Sequence, residues 1–122
     1  MPRVLVVDDD PNARELLRVY LTAKGYEVVE AETGGEGLRR VREDRPHLML
    51  LDINLPDISG LDVLREAKAL DPALGVIMVT GLQEEEVGRE AMQAGAFDYI
   101  TKPLDLQYLE KSLWYKITTM TL

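Results

Sequence analysis

The sequence predicts an α/β domain: a five-stranded parallel sheet wound on both sides by helices. Three observations carry this reading. Short apolar, β-branched runs alternate five times with segments of helical period. The longest of these runs, Val4–Val7, Leu48–Leu51 and Val76–Val79, are apolar at every position, as in strands covered on both faces. A chain of 122 residues has room for only one core, because halves of it would be too small to be stable. Parallel neighbours need helical crossovers, and right-handed crossovers cover both faces of the sheet.

The first strand is 3–8 (RVLVVD), followed by Asp10-Pro11, an N-cap and first-turn proline. Ala13, Leu16, Leu17, Tyr20 and Leu21 then recur as one apolar stripe of a helix that stops at Gly25. The second strand is about Glu27–Ala31. The second helix follows the Thr33-Gly34-Gly35 break, carries Leu38 and Val41, and ends before Pro46. The third strand is Leu48–Leu51, and 52–60 (DINLPDISG) is a loop punctuated by Pro56 and Gly60. A third helix runs to about Leu70, and the fourth strand is Val76–Thr80. The fourth helix, about Glu84–Ala94, opens with glutamates at its positive end but has only Val87, Ala91 and Ala94 as an apolar stripe, so light packing is expected. The fifth strand is Phe97–Thr101, and the last helix starts at Asp105 with Leu106, Leu109, Leu113 and Ile117 inward.

Composition narrows the function. The formal net charge is −8 and neither half of the chain is basic, which argues against direct binding to nucleic acid. The apolar runs are far shorter than the about 20 residues of a bilayer span, so no membrane insertion is expected. With no Cys there is no disulfide, thiolate metal site or cysteine nucleophile, and a cytoplasmic location is expected.

In a parallel sheet every strand ends at one edge, where ligands bind near the point at which strand order reverses. The first strand delivers Asp8 and Asp9 there, the third Asp52, the fourth Thr80, and the fifth Thr101-Lys102-Pro103. Each has a bland reading as a cap, a turn former, a β-branched strand end or a solvated charge. Together they place acids, a hydroxyl and an ammonium in one crevice. Three adjacent carboxylates repel, and a hard dication such as Mg²⁺ together with an ammonium relieves that repulsion. Asp10 keeps its role as a cap.

The segments VLVVDDDP, LLDINLPDISG around Asp52, VIMVTG at the fourth strand and AGAFDYITKP at the fifth occur in order over nearly the whole chain. In them the sequence resembles the receiver domain of bacterial two-component response regulators. The resemblance implies a flavodoxin-like doubly wound sheet of order 2-1-3-4-5 with five helices and one receiver domain, 1–122; as the sequence stops soon after the last helix, no output domain is expected in it. It implies that Asp52 is the phosphoacceptor, that Asp8, Asp9, Asp52 and the backbone carbonyl of Asn54 serve Mg²⁺, and that Thr80 and Lys102 contact the phosphoryl group. Tyr99 matches the aromatic switch residue that moves with Thr80, and the Lys102–Pro103 peptide is expected to be cis. Leu104 and Leu82 depart from the commoner residues of the family, and Leu82 bears on the rate of dephosphorylation.

The implied function is a switch and not a turnover enzyme: a sensor histidine kinase or phosphotransfer protein phosphorylates Asp52, and the phosphoryl group is lost slowly with Mg²⁺. The face of the fourth helix, fifth strand and fifth helix then controls a partner or output domain. Tyr108, Trp114 and Tyr115 on the last helix point to a contact surface there, such as that of a homodimer. Two alternatives are an aspartate-nucleophile phosphatase using Asp8 with Asp10 as general acid, and an interaction module that is never phosphorylated. Against the first, Asn12 stands where such phosphatases have Thr or Val. His47, just before the third strand, reads as a surface residue.

Overall fold

A computed structural model describes residues 1–120. Along the chain run β1 (Arg3–Val7), α1 (Pro11–Ala23), β2 (Glu27–Ala31), α2 (Gly34–Asp44), β3 (Leu48–Leu51), α3 (Gly60–Leu70), β4 (Gly75–Thr80), α4 (Glu85–Gln93), β5 (Asp98–Thr101) and α5 (Leu106–Thr119). The strands form one parallel sheet of order β2-β1-β3-β4-β5, as expected.

The central strands alternate between two cores because successive side chains leave opposite faces of a sheet. Val4 and Val6 of β1, Leu48 and Leu50 of β3, and Ile77 and Val79 of β4 pack against Leu17 and Leu21 of α1 and Leu109 and Leu113 of α5. The intervening Leu5, Val7, Met49, Leu51, Val76 and Met78 pack against α2, α3 and α4 through residues such as Leu38, Val63, Leu64 and Ala91. Burying each large side chain contributes about 1.5–3 kcal/mol. Both faces of β1, β3 and β4 are therefore committed, and the strand ends are held with little freedom to slide.

Caps set where the helices begin. The side chains of Asp10, Thr33, Ser59 and Asp105 accept from backbone amides in the first turns of α1, α2, α3 and α5. Helix α4 has no side-chain cap and buries only Ala91, in keeping with the light packing expected of it. An ion pair between Arg65 of α3 and Glu90 helps to hold it.

Three expectations need correction. Leu16 lies on the predicted stripe of α1 yet is 49% exposed, because the helix meets the sheet through the narrower line of Leu17 and Leu21. His47 is half-buried, and its Nδ1 accepts the backbone N–H of Arg3 (2.9 Å), so the ring closes the start of the β1–β3 ladder. The aromatics of α5 are all exposed, but they divide: Tyr108 and Tyr115 line a groove with Asp98 and Ser112, whereas Trp114 lines another with Tyr26 and Lys24 on the α1 side. Among the described residues no helix is long and apolar enough to cross a membrane.

Gly60 ties the fold to the carboxyl edge. Its N–H donates to the carbonyl of Ile53 (2.8 Å), and a Cβ at this position would lie 2.1 Å from the carbonyl oxygen of Asp52 and 2.7 Å from Cα of Ile53. Backbone cannot be displaced cheaply, so Gly60→Ala is expected to cost about 3 kcal/mol or more in urea unfolding. Gly81→Ala, whose Cβ would meet nothing within 4 Å, should stay within about 0.5 kcal/mol of the parent. Equal stability of the two variants would contradict this account of the loop.

Candidate functional site

Two neighbouring strands aim carboxylates at the same point. The backbone N–H of Asp8 donates to Ala31 (3.1 Å) and that of Asp52 to Val7 (3.0 Å), so each continues its ladder one residue past the strand. Both side chains are buried, Asp8 at 3% and Asp52 at 6% exposure. Asp9 is exposed, and one carboxylate oxygen from each of Asp8, Asp9 and Asp52 lies within 4.8 Å of the others.

Lys102 arrives from β5 and joins the two buried acids. Its backbone N–H donates to the carbonyl of Thr80 (2.8 Å), the Lys102–Pro103 peptide is cis, and Nζ lies 2.9 Å from Oδ2 of Asp8 and 3.1 Å from Oδ2 of Asp52. Burial pulls the ammonium's pKa down, but the hydrogen bonds to Asp8 and Asp52 outweigh it and leave the group above its ordinary value. It is therefore a cation at any neutral pH. With 30% of the lysine side chain exposed, removing Lys102 should cost less than the about 3–5 kcal/mol of stranding a charge in a fully buried pair, and the main effect of the pairing is positional.

The remaining carboxylate oxygens are also engaged. Oδ1 of Asp8 accepts the N–H of Asp10 (3.0 Å), and Oδ1 of Asp52 accepts that of Asn54 (3.2 Å). Three carboxylates against one ammonium still leave an excess of two negative charges. An all-oxygen donor set with that excess fits a hard dication such as Mg²⁺. Asp10 stands apart: it is exposed, and its Oδ1 accepts the N–H of Asn12 (2.9 Å) as the cap of α1. That placement gives no support to a general acid at Asp10.

Thr80 is fully buried at the end of β4, and its Oγ1 accepts the N–H of Leu82 (3.4 Å). The carbonyl of Leu82 in turn accepts the Tyr99 hydroxyl (2.8 Å), so Leu82 links Thr80 to Tyr99. A Cβ at Gly88 of α4 would lie 3.7 Å from the Tyr99 ring, so α4 passes close over it. Burial, with the charges of Glu84 and Asp52, raises the Tyr99 phenol above its ordinary pKa, which keeps it a donor.

Arg14 escaped the sequence reading. Its side chain is only 13% exposed, donates to the carbonyl of Asp8 (2.6 Å) and faces Glu30 at 3.4 Å. The available signal was an arginine three residues before Leu17, on the inward side of α1 next to an acidic strand end.

The response regulator receiver domain family matches residues 4–113. The transcriptional regulatory protein ZraR of Salmonella typhimurium is 39% identical over 110 residues, and KdpE of Mycobacterium tuberculosis 41% over 106. These alignments cover 90% and 87% of this chain but only 25% of ZraR and 46% of KdpE, so the chain spans less than half of either relative. A CheY-like receiver domain from Methanospirillum hungatei superposes with a TM-score of 0.90 at 35% identity, covering 98% of this chain and 99% of that one. The response regulator TrrA of Thermotoga maritima, solved in complex with Mg²⁺-BeF, gives 0.87 at 34% identity, with 95% and 99% covered. Receiver domains bind Mg²⁺ at an acidic cluster of this kind, and the cluster here fits a phosphoacceptor. The chain belongs to the response regulator receiver domain family of two-component systems.

Proposed function

We propose that Asp52 accepts a phosphoryl group from the phosphohistidine of a sensor histidine kinase or phosphotransfer protein, and that residues 1–122 act as one cytoplasmic receiver domain. The observation that carries this is the buried Asp52 carboxylate, held by Lys102 and set within a three-carboxylate cluster. A carboxylate oxygen of Asp52 attacks phosphorus in line with the leaving imidazole nitrogen; the O–P bond forms as the P–N bond breaks. Charge spreads over the equatorial oxygens, which the Lys102 ammonium and the Thr80 hydroxyl would meet. Asp8, Asp9, Asp52 and the carbonyl of Asn54 would hold Mg²⁺, which when bound neutralises charge on the phosphoryl oxygens. Water later hydrolyses the acyl phosphate, so the modification is a slow timer.

The Leu82 linkage supports a switch at Thr80 and Tyr99. Turning the Thr80 hydroxyl toward a phosphoryl oxygen gives up its long bond to Leu82 N–H, and the same residue holds Tyr99 against α4. The lightly packed α4 is the element that yields, which changes the α4–β5–α5 face presented to a partner or output domain. Direct binding of nucleic acid by this chain and insertion in a membrane form no part of the proposal.

Asp52→Asn is expected to abolish labelling by acetyl phosphate, whereas Asp9→Asn should retain labelling but raise the Mg²⁺ needed for half-maximal rate by about 100-fold. Labelling of the Asp52 variant at the parent rate would overturn the assignment. Exposed Tyr108 and Tyr115 support self-association through the α4–β5–α5 face. Sedimentation at about 100 μM, well above a micromolar dissociation constant, should show a dimer with beryllofluoride and Mg²⁺, lost on changing both tyrosines to Ser. A monomer under both conditions would remove the dimer from the proposal.

A further inference from the structure

The loop from Ile53 to Ser59 is held at both ends. At its base Gly60 N–H donates to the Ile53 carbonyl (2.8 Å), and Asn54 N–H donates to Oδ1 of Asp52 (3.2 Å). At its far side Asp57 reaches across to α2, where Oδ1 accepts Gly34 N–H and Oδ2 accepts Gly35 N–H, both at 2.9 Å. The absence of a side chain at Gly34 permits this approach: a Cβ there would lie 2.5 Å from Cγ1 of Ile58 and 2.7 Å from Cγ2 of Val63.

Helix α2 already has a local cap. Thr33 Oγ1 accepts Glu36 N–H (3.1 Å), and the Thr33 carbonyl accepts Gly37 N–H (2.9 Å). The second, remote carboxylate comes from a residue 23 positions along the chain, so its bonds constrain the loop as well as the helix. The segment thus fastened, from Asp52 to Asp57, contains Asn54.

We infer that Asp57 is a positioning residue for the metal site: its two bonds to the first amides of α2 fix the loop that carries Asn54, whose carbonyl is the proposed backbone ligand. This inference rests on the phosphoacceptor reading above. The hydrogen bonds from Gly35 and Gly34 hold the Asp57 carboxyl below its ordinary pKa, so it remains an acceptor of both amides throughout the neutral range. An Asn side chain has one acceptor oxygen, and its NH₂ would face the second amide.

The test compares Asp57→Asn with Thr33→Ala, which weakens the same helix end without touching the loop. Mg²⁺ affinity is read by isothermal titration calorimetry, folding by thermal denaturation, and labelling from acetyl phosphate across a Mg²⁺ series. Asp57→Asn should raise the Mg²⁺ dissociation constant about tenfold, the size usual for losing an outer support of a metal ligand, with the labelling rate at saturating Mg²⁺ within about twofold of the parent. Thr33→Ala should lower the melting temperature while leaving Mg²⁺ affinity within about twofold. Equal Mg²⁺ affinity of the two variants would overturn the positioning role and leave the phosphoacceptor reading standing. A parent protein that binds no Mg²⁺ would overturn both.

Discussion

The arrangement of the carboxyl edge depends on one ammonium shared between two buried carboxylates. Asp8 and Asp52 end adjacent strands, and their side chains would repel without Lys102, which bridges them from a third strand. Satisfying both acids with a single cation leaves a net negative crevice that is neither neutral and inert nor too charged to stay folded. Under the proposed function, that residual charge would draw a dication, and Lys102 beside Asp52 would put countercharge where a phosphoryl group sits.

The sheet makes this precision affordable elsewhere in the fold. Because β1, β3 and β4 are packed on both faces, their ends are rigid, and the reacting groups inherit that rigidity. Packing is thinnest in α4, which has no side-chain cap and buries only Ala91, and the Leu82 N–H that precedes it is tied to Thr80 by a long bond. Under the proposed function, a firmly held acidic site next to a lightly packed helix is a sound basis for a two-state device, since a small change at Thr80 would meet an element that costs little to move.

Much of this was legible in the sequence because it depends on local patterns. Apolar runs ending in Asp8-Asp9, Asp52, Thr80 and Thr101-Lys102 locate the strands and the edge, and Asp10 announces its helix as a cap. What was not legible depends on distant partners. Asp57 looks like an ordinary turn former, and its bonds to Gly34 and Gly35 exist only once α2 lies beside the loop. The ring of His47 has the same character, since its partner is the first residue of β1. Leu16 shows the limit of helical periodicity: it finds a stripe but not how much of it the neighbouring strands cover.

The central claim is that Asp52, and no other carboxylate of the cluster, takes the phosphoryl group. An aspartyl phosphate is reduced by borohydride to homoserine, so the modified position can be read by mass spectrometry of peptides after treatment with acetyl phosphate and Mg²⁺. The account predicts homoserine at position 52 and unchanged aspartate at 8, 9 and 10. Homoserine at position 8, or none anywhere in the chain, would contradict it.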